Sequence, residues 1–308
     1  MNALLLAGAV ALAPAQAFAQ APDTAPGTPT GHELNVSVGG YRYVEPLTNP
    51  ISLSGAKLGG EYTGTWSLSE IRQWFFQADV RGLLGNVTYD GYCRPWLIRP
   101  NADSPNGWAL GLGPEFPCSE GGNPDWYVEG RALAGKDFMG RSWGVSPYAG
   151  VGVRHLSSSI AGVAGYRTDD YLYLPVGVTT RTRVAARALS VTLEYDYLIH
   201  GWQTTRQSAL GGGMVPATAT APAFTIDGFT DVSFDQPSGW GLRAGATYQV
   251  TPRWSVEPYY VRWSVDDSTV NTITATFTVN GVTARQQLGF YEPYNTTDEF
   301  GVKLGVRF

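Results

Sequence analysis

From Leu34 to the C-terminus the chain alternates, with apolar or aromatic residues at every second position and polar, small or charged residues between them. This is the period of a β-strand with two unlike faces. In Ala188 to His200 the residues Leu189, Val191, Leu193, Tyr195, Tyr197 and Ile199 share one face, and Ser190, Thr192, Glu194, Asp196 and His200 share the other. Trp240 to Val250 repeats the pattern, as do Phe300, Val302, Leu304, Val306 and Phe308 opposite Gly301, Lys303, Gly305 and Arg307. Strands of soluble sandwiches run about 5 to 6 residues, whereas these runs are about 10 to 14 long. A tilted strand crossing a bilayer needs about 9 to 11. Aromatics near the ends of the apolar faces, among them Trp66, Trp74, Trp126, Trp143, Trp240, Trp254, Tyr195 and Tyr248, match the girdles such a strand carries at the membrane interfaces. The pattern predicts an all-β chain folded as a transmembrane antiparallel up-and-down β-barrel.

The predicted strands are Leu34 to Tyr43, Ala56 to Leu68, Gln73 to Leu84, Trp126 to Phe138, Trp143 to His155, Tyr171 to Arg183, Ala188 to His200, Trp240 to Val250, Trp254 to Val265 and Phe300 to Phe308, about ten in all. Tight turns at Ser69 to Arg72, Met139 to Ser142, Val184 to Arg187 and Thr251 to Arg253 alternate with long connections rich in Gly, Pro, Asn and Asp. That alternation suits an even barrel with both termini on the periplasmic side. Thr272 to Val279 and Val282 to Leu288 flank Asn280-Gly281, a type I′ hairpin signal, and are expected to extend the wall outside the membrane. If they cross it instead, the count is twelve.

Composition narrows the class. The 308 residues are 43% hydrophobic and only 15% charged, with 38 Gly, 17 Tyr and 10 Trp. After the leader no apolar run approaches the 18 or so residues of a transmembrane helix. A net charge of −5 argues against a nucleic-acid partner, which needs a clustered basic surface. Residues 1–19 read as a secretory signal peptide: Ala3 to Ala13 is apolar, and Ala17-Phe18-Ala19 is a small-x-small cleavage site, although no Lys or Arg precedes it. Residues 20–33, with Pro22, Pro26 and Pro29, read as a flexible spacer, and 34–308 as one barrel domain.

The inward faces carry charges of both signs: Lys57, Glu61, Asp79, Arg81, Glu129, Arg131, Asp137, Arg154, Arg181, Arg183, Glu194, Asp196, Arg243, Glu257, Lys303 and Arg307. A ten-stranded barrel is little wider than the eight-stranded kind that side chains fill, so these charges are expected to pair across strands and plug the lumen. The alternative is a narrow ion or small-solute path lined by Arg154, Arg181, Arg183 and Arg243. Cys93 and Cys118 are the only cysteines and are expected to form a disulfide in the second long loop, which would display Trp96, Trp108 and Phe116 or resist proteolysis. Asn101, Asp103 and Asn106 hint at a calcium loop but miss the EF-hand spacing and lack its closing Glu, so no metal is expected.

The leader, the alternating strands and the terminal Phe308 resemble the outer-membrane β-barrel proteins of Gram-negative bacteria, a porin-like class. The resemblance implies residence in the outer membrane, contact with its lipid and lipopolysaccharide, and insertion by the barrel-assembly machinery, which reads the terminal aromatic. A monomer with no cofactor is expected, whose outer loops serve envelope integrity or bind a ligand the sequence does not name. Two enzyme groups belong to that class. The chain is similar to the omptin proteases in size and ten-strand plan, but Asp196 and His200, four residues apart, lie roughly 13 Å apart on a strand, and Asp90 has no acidic companion two residues away. His155-Leu156-Ser157 matches the His-x-Ser motif of the lipid A 3-O-deacylases, with Asp169 or Asp170 on the next strand to orient the histidine. That group has eight strands, carries the motif near its C-terminus and uses Glu where this chain has Asp. The expectation is therefore a non-enzymatic barrel, with His155, Ser157 and Asp170 as the residues to inspect for chemistry.

Overall fold

The computed structural model describes residues 27–68, 73–160, 165–210 and 212–308. The leader, most of the spacer and the turn at Ser69 to Arg72 lie outside them. Ten strands form the wall: β1 (Gly31–Glu45), β2 (Ile51–Leu68), β3 (Trp74–Cys93), β4 (Phe116–Lys136), β5 (Trp143–Ile160), β6 (Gly165–Val184), β7 (Arg187–Arg206), β8 (Gly239–Gln249), β9 (Trp254–Val265) and β10 (Asn295–Arg307). Each pairs antiparallel with its sequence neighbours, and β10 pairs with β1 from Arg307↔Glu33 to Thr296↔Val44, which closes the cylinder. Backbone N–H and C=O groups cannot be left unpaired in hydrocarbon, and closure satisfies them all around the wall. At the seam the amide of Phe308 donates to the carbonyl of His32 at 3.0 Å, so the last residue is part of the closure.

The outward residues form an apolar belt. Val36, Val38, Leu58, Val80, Leu84, Val153, Val176 and Leu193 are all exposed, as a lipid-facing surface requires. Trp66, Trp74, Trp143 and Trp254 rim its periplasmic edge, and Trp126 and Trp240 its outer edge. The belt ends at Gly40 on β1 and Leu172 on β6, because the next outward residues are Arg42 and Asp170.

The wall rises well beyond the belt. β3 continues to Cys93 and β4 begins at Phe116, about ten residues more on each than the sequence pattern predicts. Two outer connections expected to be long are consequently short: five residues between β1 and β2, and four between β5 and β6. Above the belt the apolar set moves to the inward face, where Tyr41, Tyr43, Leu53, Val87 and Tyr89 form a buried cluster.

The remaining outer segments fold into a cap. Gly213–Val215, Phe224–Phe229, Asn271–Val279 and Val282–Phe290 make a four-stranded sheet, and Trp96–Pro100 pairs with Trp108–Leu112. Asn280 and Gly281, at φ of 50° and 79°, form the expected turn between the last two strands of that sheet, which stay outside the membrane. The cap has its own core around Ile98, Leu110, Phe224, Ile226, Phe229 and Phe277. The Gln286 side chain locks the two pieces together, donating to the carbonyl of Leu110 at 2.9 Å and accepting from its amide at 2.7 Å. Trp96 and Trp108, expected on display, pack against this core, Trp96 lying 5.1 Å from the ring of Phe229; Phe116 is exposed. Their area is worth more against Phe229 and its neighbours than in water. The Cys93–Cys118 disulfide is formed and ties the outer ends of β3 and β4.

Two predictions follow from the turns and the staple. Ala185 and Ala186 connect β6 to β7 with both φ angles positive, 50° and 65°, where L-residues carry a penalty that glycine escapes. Ala186→Gly should raise the unfolding free energy in lipid or detergent by up to about 1 kcal/mol; a lower unfolding free energy would contradict that turn geometry. The disulfide spans 25 residues and should contribute about 3.5 kcal/mol in the chain-entropy picture, confined to the outer loop. In Cys93→Ser/Cys118→Ser, chymotrypsin should cut faster at Trp96 and Trp108 while the wall stays resistant.

Candidate functional site

The lumen is the most elaborated part of the molecule. Many inward side chains along the membrane-spanning wall are charged or tyrosine, and they bond across the barrel as well as along it. Arg131 on β4 holds Asp79 on β3 at 2.7 Å and reaches over to Glu194 on β7 at 2.6 Å. Arg243 on β8 holds Asp196 at 2.7 Å and Glu194 at 3.1 Å on β7, and crosses to Glu129 on β4. Arg81 on β3 crosses to Glu299 on β10, and Lys57 on β2 to Asp125 on β4. Lys303 on β10 bridges Glu61 at 2.8 Å and Glu257 at 3.1 Å. Three tyrosine hydroxyls fill the gaps: Tyr127 donates to Glu299 at 2.8 Å, Tyr148 to Glu194 at 2.8 Å and Tyr173 to Glu129 at 2.5 Å. Two of these rings lie over glycines; a Cβ on Gly152 would run into the ring of Tyr173, and one on Gly177 into that of Tyr148.

Arg154 has no carboxylate partner among the described residues. Its guanidinium stacks over Tyr127, 4.0 Å from the ring centre, and lies 5.7 Å from the centre of Trp263. Arg181 sits lower, beside Ser146 at 2.5 Å and Asp137 at 3.9 Å, and Arg183 is half-buried near the periplasmic end. The four arginines considered for a path therefore occupy separate levels, two of them engaged inside the plug. Below the plug a cavity of about 390 Å³ opens to the periplasmic side, and Gly27, Thr28 and Pro29 form part of its wall. Thr28 is fastened there, its amide and hydroxyl donating to Asp137 at 2.8 and 2.6 Å.

The outer mouth is closed by residues that the sequence pattern left in loops. Glu292, in the connection between β9 and β10, is buried and accepts from Tyr43 of β1 at 2.7 Å, Arg167 of β6 at 2.5 Å and Gln203 of β7 at 2.9 Å. Arg167 also lies 3.5 Å from Asp169 and 3.9 Å from Glu45. Only about 20 Å³ of space remains beneath this lid. Glu45 and Asp169 stand above the belt. Burial drives both carboxyls up to about 7; the charge of Glu292 adds to the rise and Arg167 opposes it. A signal for this cluster was present in the sequence: Arg167, Asp169, Tyr171 and Tyr173 continue the inward phase of β6 without a break.

The candidate catalytic residues are on the outward face. His155 and Asp170 face each other on β5 and β6, with Nδ1 2.6 Å from the carboxylate, and the imidazole lies 5.4 Å from the ring of Trp126. No hydrogen bond joins His155 to Ser157. The Ser157 hydroxyl is buried and donates to the hydroxyl of Tyr166 at 2.6 Å. Asp196 and His200, which the alternation puts on one face, are on opposite faces: a register shift between Leu198 and His200 turns the imidazole outward, 3.3 Å from Asp235, while Asp196 stays bound to Arg243. Asp90 is exposed on the outside of β3. In the outer loop, Asn101 and Asn106 turn their side-chain oxygens onto the amides of Asp103 and Trp108 and so close a turn, and no group of His, Cys, Asp or Glu among the described residues is placed to hold a metal ion.

Fold and lumen together define a ten-stranded transmembrane β-barrel of the outer-membrane kind. No family model and no curated protein matches the chain. Among solved structures it is similar to the outer membrane protease OmpT from Escherichia coli (TM-score 0.47, 12% identity, 94% of this chain and 100% of that one), the translocator domain of autotransporter NalP from Neisseria meningitidis (0.35, 11%, 91% and 90%) and the toluene transporter TodX from Pseudomonas putida (0.34, 8%, 91% and 90%). The barrel assignment rests on the strand pairing of this chain, not on these likenesses.

Two outcomes test the site. Arg243→Ala strands Glu129 and Asp196 without a cation and should cost about 3–5 kcal/mol in reversible unfolding. A cost below 1 kcal/mol would mean the ties across the barrel do not form. For the mouth, the folded state keeps protons on Glu45 and Asp169 that the opened state, with ordinary carboxyl pKa values near 4, gives up. The lid's stability is thus full below about pH 4 and falls as pH rises through about 7. Hydrogen exchange of residues 266–294 should be slower at pH 5 than at pH 8, with intrinsic rates corrected for, and Glu45→Gln should weaken the difference.

Proposed function

We propose that this chain is an integral outer-membrane protein whose barrel does not conduct and is not an enzyme, and whose task lies in the folded outer cap: strengthening the envelope or presenting a surface to a partner. The observation carrying this reading is the double closure of the lumen, by ion pairs that cross it at mid-height and by Glu292 at the mouth. A path for ions needs sites that bind weakly enough to release. Here each mid-height arginine that meets carboxylates is held by at least two, and removing any one partner leaves a buried charge. Export by a cleaved leader, insertion by the assembly machinery, contact with lipopolysaccharide and a monomeric state belong to the same reading. The exposed aromatics at the edges of the belt and a wall closed on itself support it. His155 serves on this account as an interfacial side chain held by Asp170 and Trp126, since the Ser157 hydroxyl donates its hydrogen bond to Tyr166 and not to His155.

The decisive measurement is conductance of the refolded protein in a planar bilayer, with the disulfide intact and then reduced. Silence in both states is the expected result. Steady, ion-selective openings would replace this reading with that of a narrow channel. His155→Ala should leave the acyl pattern of lipid A unchanged by mass spectrometry.

A further inference from the structure

Among the described residues of the cap, one strand keeps a long open edge. The four-stranded sheet ends at Val282–Phe290, which pairs only with Asn271–Val279. The two-residue turn at Asn280-Gly281 makes Val279 and Val282 a hydrogen-bonded pair, and such pairs recur at every second residue. Val282, Ala284, Gln286, Leu288 and Phe290 therefore direct their N–H and C=O groups into the sheet. Thr283, Arg285, Gln287 and Gly289 direct theirs away from it, and all four residues are exposed. The other cap edges are short or occupied. Gly213–Val215 has three residues, Trp96–Pro100 is bracketed by Pro95 and Pro100, and the backbone of Leu110 is taken by the Gln286 side chain. Val232–Gln236, which pairs with the outer end of β7, accepts from the Thr269 amide at 2.9 Å and the Asn271 side chain at 3.0 Å. Exposed edges in natural proteins are blunted by lysine, proline or a bulge. Val282–Phe290 has no Lys and no Pro, and its register is unbroken over nine residues.

We propose that this edge receives an extended segment of a partner protein by antiparallel strand addition, the segment alternating apolar and polar residues with a carboxylate opposite Arg285. The inference rests on the reading that the cap presents a surface to a partner, and it names that surface. Unpaired peptide groups along a strand fit another strand, because each N–H and C=O meets its complement at the strand repeat. Side chains of the added strand follow the period of two. Those opposite Ala284, Gln286 and Leu288 fall on the inner face, where Leu288, Phe290 and Trp108 are only partly buried, so apolar residues there extend the cap core. Those opposite Thr283, Arg285 and Gln287 fall on the outer face. Arg285 makes no ion pair or hydrogen bond through its side chain with any described residue. A residue directly opposite it lies about 5.5 Å away at the backbone, within reach for a carboxylate and a guanidinium. A second copy of this strand is the poorer occupant, since Val282–Phe290 holds no Asp or Glu to offer.

The test is fluorescence anisotropy and hydrogen exchange on the purified full-length barrel in detergent, with a labelled peptide of alternating valine and threonine in which one central threonine is replaced by glutamate. The peptide should bind and slow exchange at the amides of Thr283, Arg285, Gln287 and Gly289. The same peptide N-methylated at the glutamate and at every second residue from it loses that bonding edge and should bind at least about tenfold more weakly. Gln287→Pro removes one outward N–H without touching the ladder to Asn271–Val279, and should weaken binding as well. Arg285→Glu should bind the glutamate peptide at least about tenfold more weakly and a lysine peptide more tightly than the wild type does, a gain that only a folded variant can show. No binding by the wild type, equal binding of the N-methylated peptide, or an unchanged charge preference in Arg285→Glu would overturn the proposal. A dimer in detergent that Gln287→Pro dissociates would overturn it too, in favour of a second copy. Peptide binding together with ion-selective openings would overturn the closed-barrel reading and not this one, and silence without peptide binding would do the reverse, so the two failures are distinct.

Discussion

Ten strands make this barrel narrow, and the narrowness governs the rest of its chemistry. Opposite walls are close enough for one arginine and one glutamate to bridge the lumen, as Arg131 and Glu194 do from β4 and β7. A wider barrel would hold water around these groups and leave each to pair with its own neighbour. Here the charged side chains lose most of their water. Each stabilises the fold only while its partners remain, so the interior behaves as a unit that fixes which strands face which. The tyrosines extend that unit: Tyr173 can reach Glu129 because its ring lies over Gly152, which has no side chain to push it away.

The period of two was legible along the whole wall, but its meaning changes with height. Within the belt the apolar set points outward, as with Val80 and Leu84 on β3 opposite the inward Asp79 and Arg81. Above the belt the surroundings are water, and on the same strand Val87 and Tyr89 point inward while Asp90 points out. The alternation continues with its phase inverted relative to the solvent. The lipid-facing pattern ends at Leu84 for that physical reason, and the segments that carry Glu45, Arg167 and Asp169 read as loops. The bulge at Leu198/His200 was illegible for a different reason: one extra residue on one strand leaves no mark in composition, yet it moves His200 from the predicted inner face to the outer one.

The inward charges were readable one by one, and the pairs along neighbouring strands followed from register, as with Asp79 and Arg131. Their partners across the barrel were not readable. Which side chain meets Arg81 or Arg243 over the lumen depends on strand tilt and stagger, which the alternation does not encode. The cap was hidden for a related reason. Asn280-Gly281 announced its hairpin, but the sheet also takes in Phe224–Phe229, from a connection whose Gly, Ala, Thr and Pro content reads as irregular chain.

The two closures of the lumen differ in kind. At mid-height Arg81, Arg131, Arg243 and Lys303 each meet at least two carboxylates, while Arg154 stacks on Tyr127. At the mouth one guanidinium, that of Arg167, faces Glu45, Asp169 and Glu292. Three carboxyls around one arginine cannot all be ionised at low cost, and the excess is settled by retaining protons on Glu45 and Asp169. The lid is therefore the layer that loosens first as pH rises. On the reading proposed above, the layer beneath it keeps the barrel shut, so that motion at the surface is separated from permeability.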